Sequence, residues 1–509
     1  MTTFRVARDP DAGRPARPRH RDAPEAGMHS TEQPDHREHG DVKHPAGRRF
    51  IRILRMLVGG LVVLAAFLLV PGAVFVTNAR SFGADRYARP ASTDSADAAV
   101  AAAVPPAHDP DKPTVAIVVG NSGANVADTL VPYDILAGTG KFNVYTVASE
   151  RRPVPLLGGL DLVPDLDFAQ LSRRLNGKAP DVTVVPDMPD ADEDSDRRVT
   201  AWLRDTASGG LVLSVCTGAR LVAEAGLLDG RDATTHWYRF ADLRDAHPAV
   251  RWRRGVRYID DGNVISTGGL LSSVDGTLRV IERLAGPDTA AAAARTAGWR
   301  HYSPGAPARL PRSRLTPSDA IVHMLNLGYR SGTTTVGVVL TNGVGELELA
   351  SVFDPYAEVK AARTIAIAST ATVRSQHGLT FIPRARLADA GDDVDRLLVP
   401  GTAAAAGPDP EIAATARRAG VPLEYPHRRQ GFAFDPVLRS MARTFDTPTA
   451  RWTGKILEYP TAELRPSGPR WPWTPTLRVI LFGMAGMAGV AGVAVVLVAR
   501  RRIINRRQP

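Results

Sequence analysis

Two long apolar runs, one near each end of the 509-residue chain, most constrain how this protein folds. Residues 56–76 and 479–499 each extend over 21 positions without a charged side chain. A helix rises about 1.5 Å per residue, so each run is long enough to cross the roughly 30 Å hydrocarbon layer of a membrane. We therefore predict transmembrane helices over 51–77 and 476–499 and a lipid bilayer as a partner. A cleaved signal peptide is the alternative for the first run, but the long polar leader before it does not suit one.

The positive charge of the chain is concentrated at its ends. The formal net charge is +10, yet residues 1–55 hold 12 Lys and Arg against 8 Asp and Glu, and residues 500–509 hold five Arg and no acid. The middle of the chain is therefore nearly neutral, which argues against nucleic-acid binding. Because basic residues flank membrane helices on the cytoplasmic side, we predict that both termini are cytoplasmic and that the domains between them lie outside.

Segments of biased composition separate the remaining parts of the chain. Residues 1–50 are rich in Pro, Arg, Asp and His, lack apolar periodicity and are predicted to be a disordered tail. The five histidines of this tail have no regular spacing, so we predict no metal site there. Linkers are predicted at 78–112, 305–332 and 461–475, and the last ten residues form a basic tail.

Residues 113–304 alternate between short β-branched runs and amphipathic stretches. Strands are predicted at 114–119, 143–148, 182–185 and 211–215, and helices at 197–207 and 219–228. Short apolar strands that alternate with helices are typical of a parallel sheet with helices on both faces. We therefore predict an α/β domain over this range.

The same pattern starts again at residue 333. Strands are predicted at 335–340, 364–369 and 396–399, and the spacing of Asp128 and Asp134 recurs in Glu348 and Asp354. We interpret this as an internal duplication with a second copy over 333–460. The second copy lacks a counterpart of residues 208–268, which hold the only cysteine. We expect it to lack an elbow strand and a catalytic site, and to pack against the first copy, which would cover the edge of its shortened sheet.

The single cysteine, Cys216, excludes an intramolecular disulfide and lies in a pattern suited to chemistry. Residues 211–220 predict an apolar strand, a sharp turn with Cys216 at its apex, and a helix that begins beyond Gly218, which is the pattern of a nucleophile elbow. The helix N-terminus would lower the pKa of the thiol, and the backbone N–H groups of Thr217 and Gly218 would hold an oxyanion. A buried structural cysteine is the alternative.

Two further residues are candidates for the same site. His236 follows a predicted strand and is a candidate base for Cys216, although a hydrogen-bonded structural histidine explains it equally well. Asp128 follows the first strand, where open parallel sheets present ligand-binding residues, and its alternative role is a helix cap. The acidic run over 187–196 lacks the glycine of a calcium loop and is interpreted as a solvated helix start. We therefore predict no metal and no cofactor.

Four motifs carry a family resemblance. They are Ser214-Val215-Cys216-Thr217-Gly218, Ala225-Gly226-Leu227-Leu228-Asp229-Gly230, Ala233-Thr234-Thr235-His236-Trp237 and Asp261-Gly262-Asn263. With them, residues 113–304 resemble the ThiJ/PfpI superfamily, which is related to class I glutamine amidotransferase domains, and within it isonitrile hydratases and the N-terminal domains of AraC-type regulators. The resemblance implies a flavodoxin-like α/β sandwich. Together with the duplication and the apolar runs, it predicts an α/β fold of two flavodoxin-like α/β sandwich domains, the second one truncated, between two transmembrane helices.

The resemblance also implies roles for individual residues. In hydratase-like members a cysteine adds to the isonitrile carbon, a role that falls here to Cys216, with Thr217 and Asp128 assisting. The Pro-Gly-Gly loop of the superfamily appears as Pro186-Asp187-Met188, and no helix-turn-helix follows. Two hypotheses remain open, a cysteine-dependent hydratase or hydrolase of a small molecule, and a receptor-like module that binds a small ligand without turnover.

A stripe of glycines in the second apolar run suggests how that helix packs. Gly483, Gly486, Gly489 and Gly492 give one face of small residues, which lets helices approach closely. The stripe is suited to the first membrane helix or to another subunit, so a homo-oligomer through the transmembrane helices is one prediction.

Overall fold

The computed structural model describes residues 45–88, 94–189, 193–206, 209–305, 309–330, 334–390, 394–460 and 464–505. Most of the predicted disordered tail and the last four residues of the basic tail lie outside the described residues. The N-terminal half of the α/β region is residues 113–304 and the C-terminal half is residues 333–460.

The helices before the N-terminal half are α1 (Pro45–Asp85) and α2 (Asp94–Ala102). Helix α1 therefore extends beyond the predicted span of 51–77 at both ends, and α2 lies in a segment predicted as linker. The C-terminal extension of α1 has a packing reason, because Phe82 is buried and the Asn78 side chain donates to the Gly328 carbonyl (2.7 Å).

The N-terminal half consists of β1 (Thr114–Val118), α3 (Val126–Gly138), β2 (Asn143–Ala148), β3 (Val154–Leu156), β4 (Leu160–Val163), β5 (Leu166–Asp167), α4 (Phe168–Arg174), β6 (Val182–Val185), α5 (Glu193–Thr206), β7 (Leu211–Ser214), α6 (Ala219–Glu224), β8 (Asp232–Ala233), α7 (Phe240–Ala246), β9 (Arg251–Trp252), β10 (Tyr258–Asp261), β11 (Val264–Thr267), α8 (Ser272–Ala285) and α9 (Pro287–Thr296).

After it come α10 (Pro317–Tyr329), β12 (Thr335–Val339), α11 (Glu346–Glu358), β13 (Arg363–Ala368), β14 (Val373–Arg374), β15 (Thr380–Ile382), β16 (Ala385–Arg386), β17 (Arg396–Leu398), α12 (Thr402–Ala406), α13 (Pro410–Ala419), β18 (Leu423–Glu424), α14 (Phe434–Thr444), α15 (Thr447–Ile456) and α16 (Trp473–Asn505). Helix α10 lies where a linker was predicted. The Tyr329 hydroxyl at its end donates to the Pro71 carbonyl (2.9 Å), and Arg478 donates to the Tyr329 carbonyl (2.7 Å). Helix α10 thus joins both apolar helices.

Helices α1 and α16 are long and apolar enough to span a membrane. The first two glycines of the α16 stripe contact α1. A Cβ at Gly483 would lie 2.2 Å from the Phe67 ring, and one at Gly486 would lie 2.4 Å from the Ala66 carbonyl oxygen. Any larger residue there would force the helices apart, whereas Gly489 and Gly492 have open space beside them.

The main sheet of the N-terminal half has the strand order β10-β11-β7-β6-β1-β2-β5. Its pairs are parallel except for β10 with β11. The five central strands, taken in chain order, are arranged 2-1-3-4-5, which is the flavodoxin-like order. The predicted strands of this half are present, and the chain reverses direction across the sheet between β1 and β6. Ligands of such sheets bind at that point, at the carboxyl ends of the strands.

The second sheet, β16-β13-β12-β17-β18, is parallel throughout. Its order from β13 onward is 2-1-3-4, so β18 occupies the place that β7 has in the first sheet. The expectation that the C-terminal half lacks an elbow strand is therefore wrong. What it lacks is the fifth strand, and its β18 pairs over only two residues, Leu423 with Leu397 and Glu424 with Leu398.

The two halves share a small antiparallel sheet of order β14-β15-β4-β3. At its centre β15 of the C-terminal half pairs with β4 of the N-terminal half. Beside this junction the Arg384 guanidinium binds both carboxylate oxygens of Asp161 (2.6 and 2.8 Å) and donates to the Ala88 carbonyl (2.7 Å). Because Asp161 is only 1% exposed, this ion pair joins the halves away from solvent.

Helices α3 and α11 form a second, reciprocal contact between the halves. The Asp354 carboxylate of α11 accepts from the backbone N–H of Ala127 at the start of α3 (3.0 Å), and Asp134 of α3 accepts from the N–H of Leu347 at the start of α11 (2.8 Å). Each helix thus satisfies an unpaired N-terminal donor of the other, with a negative group at the positive end of a helix dipole. The same type of hydrogen bond is therefore made in both directions between the two helices.

We expect Arg384→Ala to lower the free energy of unfolding by about 3 kcal/mol, because it leaves the Asp161 carboxylate buried without a counter-ion. The measurement is urea unfolding of the full chain in detergent. The matched control is Arg386→Ala, an exposed arginine two positions away, which should change the free energy of unfolding by no more than about 0.5 kcal/mol. Equal losses in the two variants would contradict the importance of this ion pair.

Candidate functional site

Cys216 lies at the apex of a sharp turn between β7 and α6. Its backbone has a φ of +54°, in the left-handed region that a non-glycine residue seldom adopts. Cys216–Gly218 form a short 3₁₀ turn before α6. A Cβ at Gly218 would lie 2.2 Å from the Val185 carbonyl oxygen, so only glycine lets the turn sit this close to β6. The elbow geometry predicted from the sequence is present.

Two threonines hold the elbow in place. The Thr235 hydroxyl donates to the Cys216 carbonyl (2.8 Å), and the Cys216 N–H donates to the Thr267 hydroxyl oxygen (3.4 Å). Thr235 belongs to the Ala233–Trp237 motif, which therefore has a structural role beside the cysteine. Backbone strain of this kind persists only where surrounding bonds fix it.

Asp128 lies in the first turn of α3 and is fully buried. The helix cap is Asn125, whose side chain accepts from the Asp128 N–H (2.9 Å), so Asp128 itself is not the cap. One Asp128 oxygen accepts from the Asp187 backbone N–H (3.1 Å), and the carboxyl lies beside the Cys216 thiol. Burial, and then the negative charge of Asp187, raise the pKa of Asp128 well above its usual range.

The prediction of a low-pKa thiol is wrong for this structure. Cys216 is 4% exposed, and burial raises the pKa of its thiol well above the ordinary value. The carboxylates of Asp128, Asp187 and Glu358 raise it further, since each disfavours a second negative charge nearby. A hydrogen bond from the Thr217 N–H lowers it, but this is outweighed. Desolvation and the three acids thus raise the pKa of the thiol by more than the short helix α6 lowers it.

Both predicted oxyanion donors are engaged in this structure. The Gly218 N–H donates to the Val215 carbonyl (2.8 Å), and the Thr217 N–H is directed at the Cys216 sulfur. The Thr217 hydroxyl donates to the Asp187 carboxylate. An oxyanion would therefore have to displace existing bonds.

Sequence analysis missed four residues at this site, Asp187, Glu358, Arg86 and Tyr87. Asp187 stands in the loop that differs from the superfamily pattern, which was a usable signal for a special role. The other three come from distant parts of the chain, and the sequence contains no signal for them. Burial opposes ionisation of Glu358, but the positive charges of Arg86 and Lys360 outweigh it and lower the pKa of Glu358.

The segment that follows α1 borders the site. The Arg86 guanidinium binds Glu358 of α11 (2.7 Å). The Tyr87 ring lies against Gly123, where a Cβ would be 2.5 Å from the ring. Burial raises the pKa of the Tyr87 phenol, and Asp187 and Glu358 raise it further, so Tyr87 shares these acidic neighbours with Cys216. Residues just outside an apolar helix therefore lie beside the acids that surround Cys216.

His236 is directed elsewhere. Its Nε2 lies 3.0 Å from the Ile456 carbonyl oxygen of the C-terminal half, and the neighbouring Trp237 indole donates to the Lys455 carbonyl (3.3 Å). The structure brings Asp128, Thr217 and Cys216 together, but the hydrogen bond that it gives to His236 leads to α15. His236 therefore has the geometry of a hydrogen-bonded structural histidine rather than that of a base for Cys216.

The C-terminal half has a polar cluster in the corresponding place. From the strand register, His427 follows β18 where Cys216 follows β7, and Glu348 occupies the Asp128 position of α11. His427 Nδ1 accepts from the Gly401 N–H (3.0 Å), and its Nε2 lies 3.1 Å from the Ser351 hydroxyl. Both ring nitrogens of His427 therefore have partners.

Three potential metal-ligating side chains meet near the α3–α11 contact. Asp134, Glu346 and His377 place one ligand atom each within 4.8 Å of one another. His377 Nδ1 lies 2.8 Å from a Glu346 oxygen. Burial lowers the pKa of His377, but the hydrogen bond to Glu346 and the charges of Glu346 and Asp134 outweigh it and raise that pKa.

Comparison with known proteins identifies the family of the N-terminal half. The sequence profile of the DJ-1/PfpI family matches residues 113–283. Isonitrile hydratase of Pseudomonas putida is 33% identical over 165 residues, which cover 32% of this chain and 68% of that enzyme. The HTH-type transcriptional regulator GbdR of Pseudomonas aeruginosa is 29% identical over 170 residues, but the match covers only 44% of the regulator.

Among solved structures, a ThiJ/PfpI family protein of Pseudomonas syringae is 25% identical, with a TM-score of 0.33, over 39% of this chain and 83% of that one. The family assignment depends on the profile and on the hydratase, of which the chain covers two thirds of the length. The chain belongs to the DJ-1/PfpI family.

Proposed function

We propose that this protein is a membrane-anchored DJ-1/PfpI module that binds a small molecule at the Cys216 site and couples its occupancy to the N-terminal apolar helix. The observation that carries the proposal is the position of Arg86 and Tyr87, which follow α1 directly and close the site. In the closed state the module does not turn its ligand over. The HTH-type regulators among its relatives, which share this fold region, support a sensory role.

Coupling requires that the closing segment moves with the helix. Helix α1 runs without interruption to Asp85, and the Arg86 N–H donates to the Phe82 carbonyl (3.0 Å), which continues the helical bonding. A ligand that approaches Cys216 has to displace Arg86 or Tyr87. Such a ligand would break the Arg86–Glu358 ion pair and shift the end of α1.

The state of the thiol supports binding without turnover. The nucleophile of cysteine chemistry is the thiolate, and burial together with three carboxylates keeps Cys216 protonated at neutral pH. The acidic groups around the thiol, Glu358 among them, suit a neutral or cationic ligand better than an anion.

A hydratase that acts on isonitriles is the second candidate. It is favoured by the contact of Asp128 with Cys216 at a strained elbow and by the similarity to isonitrile hydratase. In this mechanism an ionised Asp128 would take the thiol proton as the sulfur adds to the isonitrile carbon and would return it to that carbon, and water would then hydrolyse the thioimidate to the formamide and the free thiol. Opening of the Arg86–Tyr87 segment would precede that step.

The C-terminal half is proposed to be a degenerate copy that serves the first one. Matching strand order, reciprocal aspartate caps on α3 and α11, and the corresponding Glu348 and His427 all support duplication. Its function would be to supply Glu358 to the Cys216 site and to hold Arg86 there. No thiol is present in this copy to act as a nucleophile.

The pH dependence of thiol reactivity in the full chain in detergent tests the state of Cys216. Alkylation of Cys216 by iodoacetamide should rise with pH to a midpoint above the ~8.5 of a free thiol, because the raised pKa suppresses the thiolate at lower pH. Asp128→Asn should lower that midpoint, since it removes the first of the acidic neighbours. A wild-type midpoint below the free-thiol value would contradict the closed-state description.

Removal of the closing side chain should expose the thiol. We expect Tyr87→Ala to raise the alkylation rate at fixed pH by roughly tenfold or more, equivalent to ~1.4 kcal/mol of easier access. Tyr238→Ala, which removes an exposed tyrosine of the same half, is the control and should leave the rate unchanged. If both variants react like the wild type, Tyr87 does not close the site.

Turnover of an isonitrile separates the two candidate functions. Formamide production from a simple alkyl isonitrile should be absent in the wild type and in Tyr87→Ala if the module only binds. Production in Tyr87→Ala that disappears in the Tyr87→Ala, Cys216→Ser double variant would instead establish the hydratase and a gating role for Tyr87. Production in the wild type would refute the proposal of a closed, non-catalytic state.

The orientation in the membrane is proposed from the flanking arginines, with both termini cytoplasmic and the α/β halves outside. Single cysteines introduced at Arg8, Glu411 and Gln508 in a Cys216→Ser background test it in intact cells. An impermeant maleimide should label only the Glu411→Cys variant. Labelling of either terminal site, with residue 411 protected, would show that the orientation is the opposite of the one proposed.

A further inference from the structure

A large cavity lies where the two halves meet near β18. Its volume is about 1220 Å³, and residues from the ends of α9 and α14 and from the loop after β18 line it. We call it the arginine groove. The residues that matter here are Arg295, Arg428, Arg429, Arg439, Tyr425 and Trp299. Its lining does not include Cys216, Asp128 or Glu358, so it is distinct from the cysteine site.

The groove exists because the second sheet stops one strand early. In the first sheet β11 pairs with the outer edge of β7. Strand β18, the counterpart of β7, has no strand on that side within the described residues. The space that a fifth strand would fill is left open and is bounded by α14 and by the chain after α9.

The charge of the groove is strongly positive. Its two lining acids already have partners, because Glu424 binds Arg396 and Ser440, and the Tyr459 hydroxyl donates to Asp435 (2.6 Å). Arg295, Arg428 and Arg429 are exposed to solvent at the groove. A guanidinium stays charged at any physiological pH and presents paired N–H donors that match carboxylate and phosphate oxygens.

Tyr425 is a second observation that points to a ligand. Tyr425 is one of the lining residues and is only 6% exposed, yet its hydroxyl has no hydrogen-bond partner among the described residues. A buried hydroxyl without a partner costs about 1–3 kcal/mol, which an oxygen of a bound ligand would recover. The guanidinium carbon of Arg428 lies 5.9 Å from the centroid of the Tyr425 ring, so the two side chains are neighbours at the groove.

We propose that the arginine groove binds a small polyanion that carries at least two carboxylate or phosphate groups, held by Arg428 and Arg429 and by the Tyr425 hydroxyl. A small molecule is favoured over a macromolecule because the site is a concave cavity. Its volume is slightly larger than that of the pockets that small ligands commonly fill. Trp299, at the wall of the groove, offers an apolar surface for the rest of the ligand.

The test is isothermal titration calorimetry of the full chain in detergent with inorganic pyrophosphate and, separately, with citrate. Binding of one probe and not the other would identify the group as phosphate or carboxylate. The double variant Arg428→Glu, Arg429→Glu should weaken the bound probe by about tenfold or more. Failure of both probes to bind at millimolar concentration would overturn the proposal.

Two further variants make the result specific. Arg417→Glu alters an exposed arginine of α13 outside the groove lining and should leave binding unchanged. Tyr425→Phe removes only the hydroxyl and should weaken binding several-fold without loss of thermal stability. Equal weakening by Arg417→Glu would show attraction by overall charge alone, and unchanged binding in both groove variants would place the anion elsewhere; either result contradicts the proposal.

Discussion

The reciprocal capping of α3 and α11 is the contact on which the site depends. Asp354 accepts from Ala127 at one helix start and Asp134 accepts from Leu347 at the other. The environment of each aspartate disfavours the ionised carboxylate. Burial raises the pKa of Asp134 to about 7, with Glu346 adding to the effect, and burial raises the pKa of Asp354 well above its usual range. These costs persist because each carboxyl satisfies a buried backbone donor at the positive end of a helix.

The same contact makes the cysteine site a product of three segments. The N-terminal half supplies Cys216 and Asp128, α11 brings Glu358 to them, and Glu358 in turn binds Arg86 at the end of α1. A cysteine elbow that would be electropositive and reactive by itself is therefore buried and surrounded by acids. Its chemistry is set by its neighbours rather than by the helix that follows it.

The second sheet differs from the first at two places. Where the first sheet has a thiol at the elbow, the second has His427, which is held by Gly401 and Ser351. Where the first sheet has its fifth strand, the second has an open groove with exposed arginines. The two halves thus share one topology but differ in charge and in access, because a fold constrains backbone positions and leaves side-chain chemistry free.

The sequence by itself determined the apolar helices, most strands and the elbow at Cys216, because these follow from local patterns of apolar residues and from Gly218. It did not reveal α10, the two-residue β18 or the position of Arg86 and Tyr87 near the acids of the site. The pKa of Cys216 was predicted in the wrong direction. Only the tertiary structure decided it, since desolvation and the charge of Glu358 arise from segments far apart in the chain, and no local pattern records which distant residues a fold brings together.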